Sequence, residues 1–249
     1  MAAFRLADFS TGGVMTLTWT GGGPDNDWTD PLNWSGDAVP QASDNVAISG
    51  TAAETIEVGA TDAAVANALD VTDPAAALEI DGSLALGGAP VFDGNTVTVN
   101  GTLYLAGQTL DNAVVRLAGS LNVSTLGPNL TVVQTGPNAG VSGELVNQGT
   151  IEAGLSGDTL MVNMVENAGI IDVSNGATLR MPNPTYPASP LKFVNAAGGI
   201  ITVSGGASFN LELDDQGFVS DTNTWENDGQ IILESGAGSP SMGRRTTRR

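Results

Sequence analysis

Residues 95–123 read NTVTVNGTLYLAGQTLDNAVVRLAGSLNV. Apolar side chains occupy alternate positions, and a glycine interrupts them at a constant place. Val97, Val99, Gly101, Leu103 and Leu105 make one copy, and Val115, Leu117, Gly119, Leu121 and Val123 make the next. Alternation at period two marks a strand with one buried face, and a glycine midway permits a bend between two short strands. Upstream, Leu78, Ile80, Gly82, Leu84 and Leu86 fit the same pattern, so the glycines fall 19 and then 18 residues apart.

Downstream the second apolar place becomes asparagine. Leu145, Asn147, Gly149, Ile151 and Ala153 form one unit, and Val165, Asn167, Gly169, Ile171 and Val173 the next. Phe193, Asn195, Gly199, Ile201 and Val203 follow with two residues inserted, then Trp225, Asn227, Gly229, Ile231 and Leu233. A recurrence near 20 residues is about one turn of a β-solenoid, and the longer intervals leave room for loops. The expected fold is therefore all-β, a parallel β-helix. Asparagine tolerates turn geometry and bonds neighbouring backbone, so its recurrence predicts a stacked asparagine ladder rather than a ligand site.

Composition agrees with this reading. Glycine, at 33 of 249 residues, calls for many turns. Aromatics are only 5%, so the core must come from Val, Leu, Ile and Ala. The chain has no Cys and no His, which excludes disulfides, thiol nucleophiles, imidazole bases and Cys/His zinc sites. No window approaches the roughly 18 apolar residues of a membrane helix. The opening MAAFRLADFSTGG carries Arg5 and Asp8 and shows no signal-peptide core.

Net charge is −19, unevenly spread. Arg244, Arg245, Arg248 and Arg249 supply half of the eight cations, which leaves four against 27 acids over residues 1–243. Such a body repels nucleic acid and anionic membranes. The basic tail is expected to dock on an acidic partner, another copy of the chain being the nearest candidate.

Residues 16–50 depart from the repeat and hold Trp19, Trp28 and Trp34. A solenoid must close its open end, so this Trp- and Gly-rich stretch is expected to be an N-terminal cap; a Trp-lined glycan surface is the alternative. The organisation expected is an arm at 1–15, the cap at 16–50, repeats at 51–235 with a Pro-rich loop at 182–190, and a basic tail at 236–249.

The Trp-Thr-Gly-Gly opening, then Trp28, Asp30, Pro31, Asn33 and Trp34 with Pro40 and Asp44, followed by the N-x-G-x-I units, resembles bacterial autotransporter-passenger and adhesin-like β-helix proteins. The resemblance covers about residues 16–235. It implies a right-handed parallel β-helix exposed outside the cell, and it brings no catalytic residues with it.

Candidate chemistry is sparse. Asp25, Asp27 and Asp30 in PDNDWTDP are grouped as calcium ligands can be, but without an EF-hand loop's length or terminal Glu. Asp221, Glu226 and Asp228 form a weaker group. An enzyme here would need carboxylates such as Glu212, Asp214 and Asp215, with Arg116, Arg180 or Lys192 as cations; solvated outer-face charges are the simpler reading. Asn33, Asn122 and Asn129 head glycosylation sequons that read as accidental. The expectation is a non-enzymatic, oligomeric assembly protein at a virion or cell surface, of decoration, fibre or spike type. A surface adhesin, with glycans as partners, is the alternative, and a polysaccharide-binding or -degrading β-helix the weaker one.

Overall fold

The structure, a computed structural model, describes residues 15–50, 54–105, 107–181, 192–211, 224–238 and 241–242. Strand follows strand with only short corners between them, and the pairing is parallel from one turn to the next, with the third-face ladder interrupted between Val91–Phe92 and Thr109–Leu110. One turn shows the rule. Asn95–Val99 lies on a first face, Thr102–Leu105 on a second and Thr109–Leu110 on a third; Ala113–Leu117 then returns to the first.

The first face is a nine-stranded sheet from Thr55–Val58 to Gln230–Leu233. The second runs from Ala63–Ala66 to Ser241–Met242. The third begins with Thr16–Thr18, Asn45–Ile48, Ala68–Val71 and Val91–Phe92. It continues through Thr109–Leu110 and Thr125–Leu126 to Lys192–Asn195 and Thr224–Asn227. Strands Gly140–Asn147 and Thr159–Asn167 bend across the corner and belong to both the second and third faces. This is a β-solenoid, as the repeat predicts.

Inward residues from the three faces meet in one hydrophobic cluster reaching from Leu17 to Leu211. Parallel sheets bury their inner side chains fully, and each Val, Leu or Ile so buried contributes about 1.5–3 kcal/mol. The alternation holds strand after strand: Leu103 and Leu105 are buried while Tyr104 between them is exposed.

Two glycine columns explain the repeat, and they stand at different corners. Gly82, Gly101 and Gly119 lie between the first and second faces; Gly149, Gly169, Gly199 and Gly229 lie between the third and first. The seven sequence copies are thus one local motif used at two corners rather than one register. Glycine is needed for close approach and not for an unusual φ. A Cβ on Gly101 would collide with the carbonyl oxygens of Gly82 and Asp81 in the turn below, and one on Gly169 with that of Gly149.

Two boundaries and one register move. Asn45–Ile48, expected within the cap, already pairs with Ala68–Val71 as a third-face strand. Ser241–Met242, expected in the tail, still pairs with Asn210 and Leu211. In the copy at 165–173, Met164 rather than Val165 enters the core, because a β-bulge adds one residue opposite Leu145–Asn147.

Candidate functional site

The N-terminal end is closed by residues 16–44. Thr16–Thr18 extends the third face by pairing with Asn45–Ala47, and Asp27 bridges Glu57 to extend the first. Trp28 N donates to Glu57 O at 2.8 Å, and Glu57 N to Asn26 O at 2.9 Å. Trp19, Trp28 and Trp34 pack edge to face, with ring centroids 4.9 Å and 4.8 Å apart, and all three are buried. Trp34 Nε1 donates to Trp28 O at 2.7 Å, and Trp19 Nε1 to Glu54 Oε2 at 3.1 Å. The cap expectation is met, and these indoles are not a sugar-stacking surface: a sugar cannot reach rings that lie in the core.

The aspartates in this stretch build turns. Asp27 Oδ1 accepts from Thr29 N at 2.7 Å and Thr29 Oγ1 at 2.8 Å. Asp30 Oδ1 accepts from Leu32 N at 2.9 Å and caps the short 3-10 helix Pro31–Asn33, while Asp25 Oδ1 accepts from Asp27 N. Among the described residues, no group of three or more Asp, Glu, His or Cys side chains is placed to hold a metal. The organiser is Asn33, whose role the sequence did not reveal. Fully buried, it donates to the carbonyls of Asp25 and Asp27, both at 2.9 Å, and accepts from Gly23 N at 2.8 Å. Its side-chain nitrogen is inaccessible, so the sequon at Asn33 is not a usable acceptor.

The asparagine ladder is present at the corner between the third and first faces. Asn147 Nδ2 donates to Asn167 Oδ1 at 2.8 Å, Asn167 Nδ2 to Asn195 Oδ1 at 2.8 Å, and Asn195 Nδ2 to Asn227 Oδ1 at 2.7 Å. Asn147, Asn167 and Asn195 are fully buried, and each also donates to a corner carbonyl. A buried amide is costly unless its groups are paired, and stacking identical turns pairs them along the ladder, leaving Oδ1 of Asn147 at its start without a partner. This is structural chemistry.

The candidate cations are dispersed. Arg116 lies on the first face between Thr98 and Val133, and Arg180 on the second between Met161 and Asn210. Lys192 begins a third-face strand beside Thr224. Glu226 lies in Thr224–Asn227, and Asp228 in the exposed turn after it. Glu212, Asp214, Asp215, Asp221, the 182–190 loop and the arginines at 244, 245, 248 and 249 lie outside the described residues.

The faces differ in charge. The first carries Glu57, Glu79, Glu152 and Asp172 with Arg116. The third carries Asp70, Glu166 and Glu226. The second-face segments Ala63–Ala66, Ser83–Leu86, Thr102–Leu105, Ser120–Asn122, 140–142, 159–162, Thr178–Met181 and Ser208–Leu211 contain no Asp or Glu and one cation, Arg180; Glu144, exposed, stands in Gly140–Asn147 where that strand crosses toward the third face.

The fold and its exterior define a capped parallel β-solenoid with a filled interior. No known protein family, curated protein or solved structure matches the chain. The functional reading therefore rests on the fold and its surfaces.

Proposed function

We propose that this chain is a non-enzymatic structural component of an exposed assembly, of virion decoration, fibre or spike type, that works as a homo-oligomer. The observation supporting it most is the continuity of the interior: one cluster of packed side chains runs the length of the described solenoid. A rod filled in this way works through its outer faces and its ends. Stacked turns bonded to their neighbours make a stiff spacer, which suits a part that must present or brace other parts.

A surface adhesin or passenger is the second reading, favoured by the resemblance carried by Trp28, Asp30, Pro31, Asn33 and Trp34. Burial of the three tryptophans removes the obvious aromatic platform for a sugar, so the assembly reading is preferred. The test is the mass of the purified chain by sedimentation velocity across a wide concentration range, with electron microscopy of the native particle. A stable oligomer of rods is expected. A chain that stays monomeric at every concentration would overturn the reading.

A further inference from the structure

We infer that the second face is the self-association surface, and that two copies pack with these faces against each other. The inference rests on the homo-oligomer reading above and deepens it. A chain of net charge −19 repels its own copies. Apart from Glu144, exposed where Gly140–Asn147 crosses from the second face to the third, the acids described on its strands belong to the first and third faces, while Asp62, Asp81 and Asp158 sit in turns at the second face's border. Two copies therefore meet with least repulsion, second face to second face.

The face has the texture of a contact surface. Ser83, Ala85, Thr102, Ser120 and Asn122 point outward in register and are small enough for a second sheet to approach closely. Tyr104 stands between Ala85 and Asn122, 47% exposed, and Met161 is 41% exposed. Aromatic, methionine and arginine side chains are what interface cores enrich, and Arg180 stands beside Met161 on this face. Nine strands about 4.8 Å apart and about four residues wide present roughly 500 Å² per copy, or about 1,000 Å² in total, near the lower limit for a specific interface.

The test compares equal added charge on two faces. Thr102→Asp with Ser120→Asp loads the second face, and Thr96→Asp with Thr131→Asp loads the first. Sedimentation velocity should show association weakened at least about tenfold by the first pair and little changed by the second. The chain has no cysteine, so a lone Ser120→Cys reports contact: a short bismaleimide should link two copies through it, and not through Thr96→Cys. If the double aspartate variants lose their circular dichroism signal, this crosslinking decides instead. A wild-type oligomer indifferent to the second-face pair, or uncrosslinked at position 120, overturns this inference and leaves the assembly reading standing. A wild-type monomer sinks both.

Discussion

One column at the corner between the third and first faces is built in two ways. Toward the N-terminus it holds Ile48, Val71 and Phe92, then Leu110 and Leu126, all buried. From the next turn onward it holds Asn147, Asn167, Asn195 and Asn227. The early half fills the corner by dispersion and exclusion of water. The late half fills it with amides that bond one another. The same backbone position thus accepts either solution, provided it is applied to neighbouring turns together. An amide placed among leucines has no partner, and a leucine placed among amides strands two.

The comparison presupposes one dry interior shared by both halves, and this sets the largest expected effect. Leu103→Asp in the early half and Ile171→Asp in the late half should be equally severe, each costing several kcal/mol and threatening folding outright. Both residues are 1% exposed or less. Thr96→Asp, on the outer side, should stay within about 0.5 kcal/mol. Thermal melts followed by circular dichroism check this, and equal melting temperatures for Leu103→Asp and Thr96→Asp would mean the strand register is wrong.

Next come the glycine columns, which stand at different corners in the two halves. Gly101→Ala and Gly169→Ala should each cost about 3 kcal/mol or more, since backbone from the neighbouring turn must move. Gly94→Ala is the control. Its φ is +78° and nothing lies within 4 Å of a Cβ there, so only the left-handed penalty of about 1 kcal/mol applies. Urea midpoints that ranked Gly94→Ala as the worst of the three would show that turn geometry, not close stacking, selects these glycines.

Much of this was legible in the sequence. Alternation around Gly82, Gly101 and Gly119 identifies the strands and their inner residues, because burial imposes period two directly. The ladder was legible because Asn147, Asn167, Asn195 and Asn227 recur in one place. What stayed hidden depends on pairing between turns. Strand–glycine–strand looks the same at every corner, so only the hydrogen-bonded partners reveal that Gly119 and Gly149 belong to different columns. The bulge that turns Met164 inward depends likewise on its neighbour strand. Charge groupings along the chain misled for a related reason. Asp25, Asp27 and Asp30 are close in sequence because turns need them, and each carboxylate is engaged by a nearby backbone N–H.

Replacing the centre of the ladder is the third test. Asn167→Leu removes the acceptor of Asn147 Nδ2 and the donor to Asn195 Oδ1. Asn147 keeps a 3.3 Å bond to Ile170 O, so the loss should be about 2–3 kcal/mol, close to one fully stranded buried group plus one weakened. Leu110→Asn, the mirror change in the apolar half, should cost at least as much, because its amide would face Leu126. If either swap proves neutral in equilibrium unfolding, the two halves are not distinct solutions.

The smallest effect belongs to the boundary between them. Each amide in the ladder donates toward the C-terminal turn, so the series has a direction. Its last member, Asn227, is exposed, whereas its first, Asn147, is buried with Oδ1 unpaired. The turn below offers only Leu126 at the paired position. Leu126→Asn would supply a donor to that oxygen, a gain of about 1 kcal/mol. Against it stand the lost leucine burial, about 1.5–3 kcal/mol, and an orphan oxygen moved one turn down rather than removed. The net should be a loss of about 1 kcal/mol, or roughly 2–4 °C in Tm for a chain of this size. That is distinctly milder than Leu110→Asn, although both changes put an asparagine in place of a fully buried leucine in the same column. The introduced side-chain amide should resist hydrogen exchange at position 126 and not at 110. If the two variants melt together, burial alone sets the cost and the unpaired oxygen of Asn147 contributes nothing.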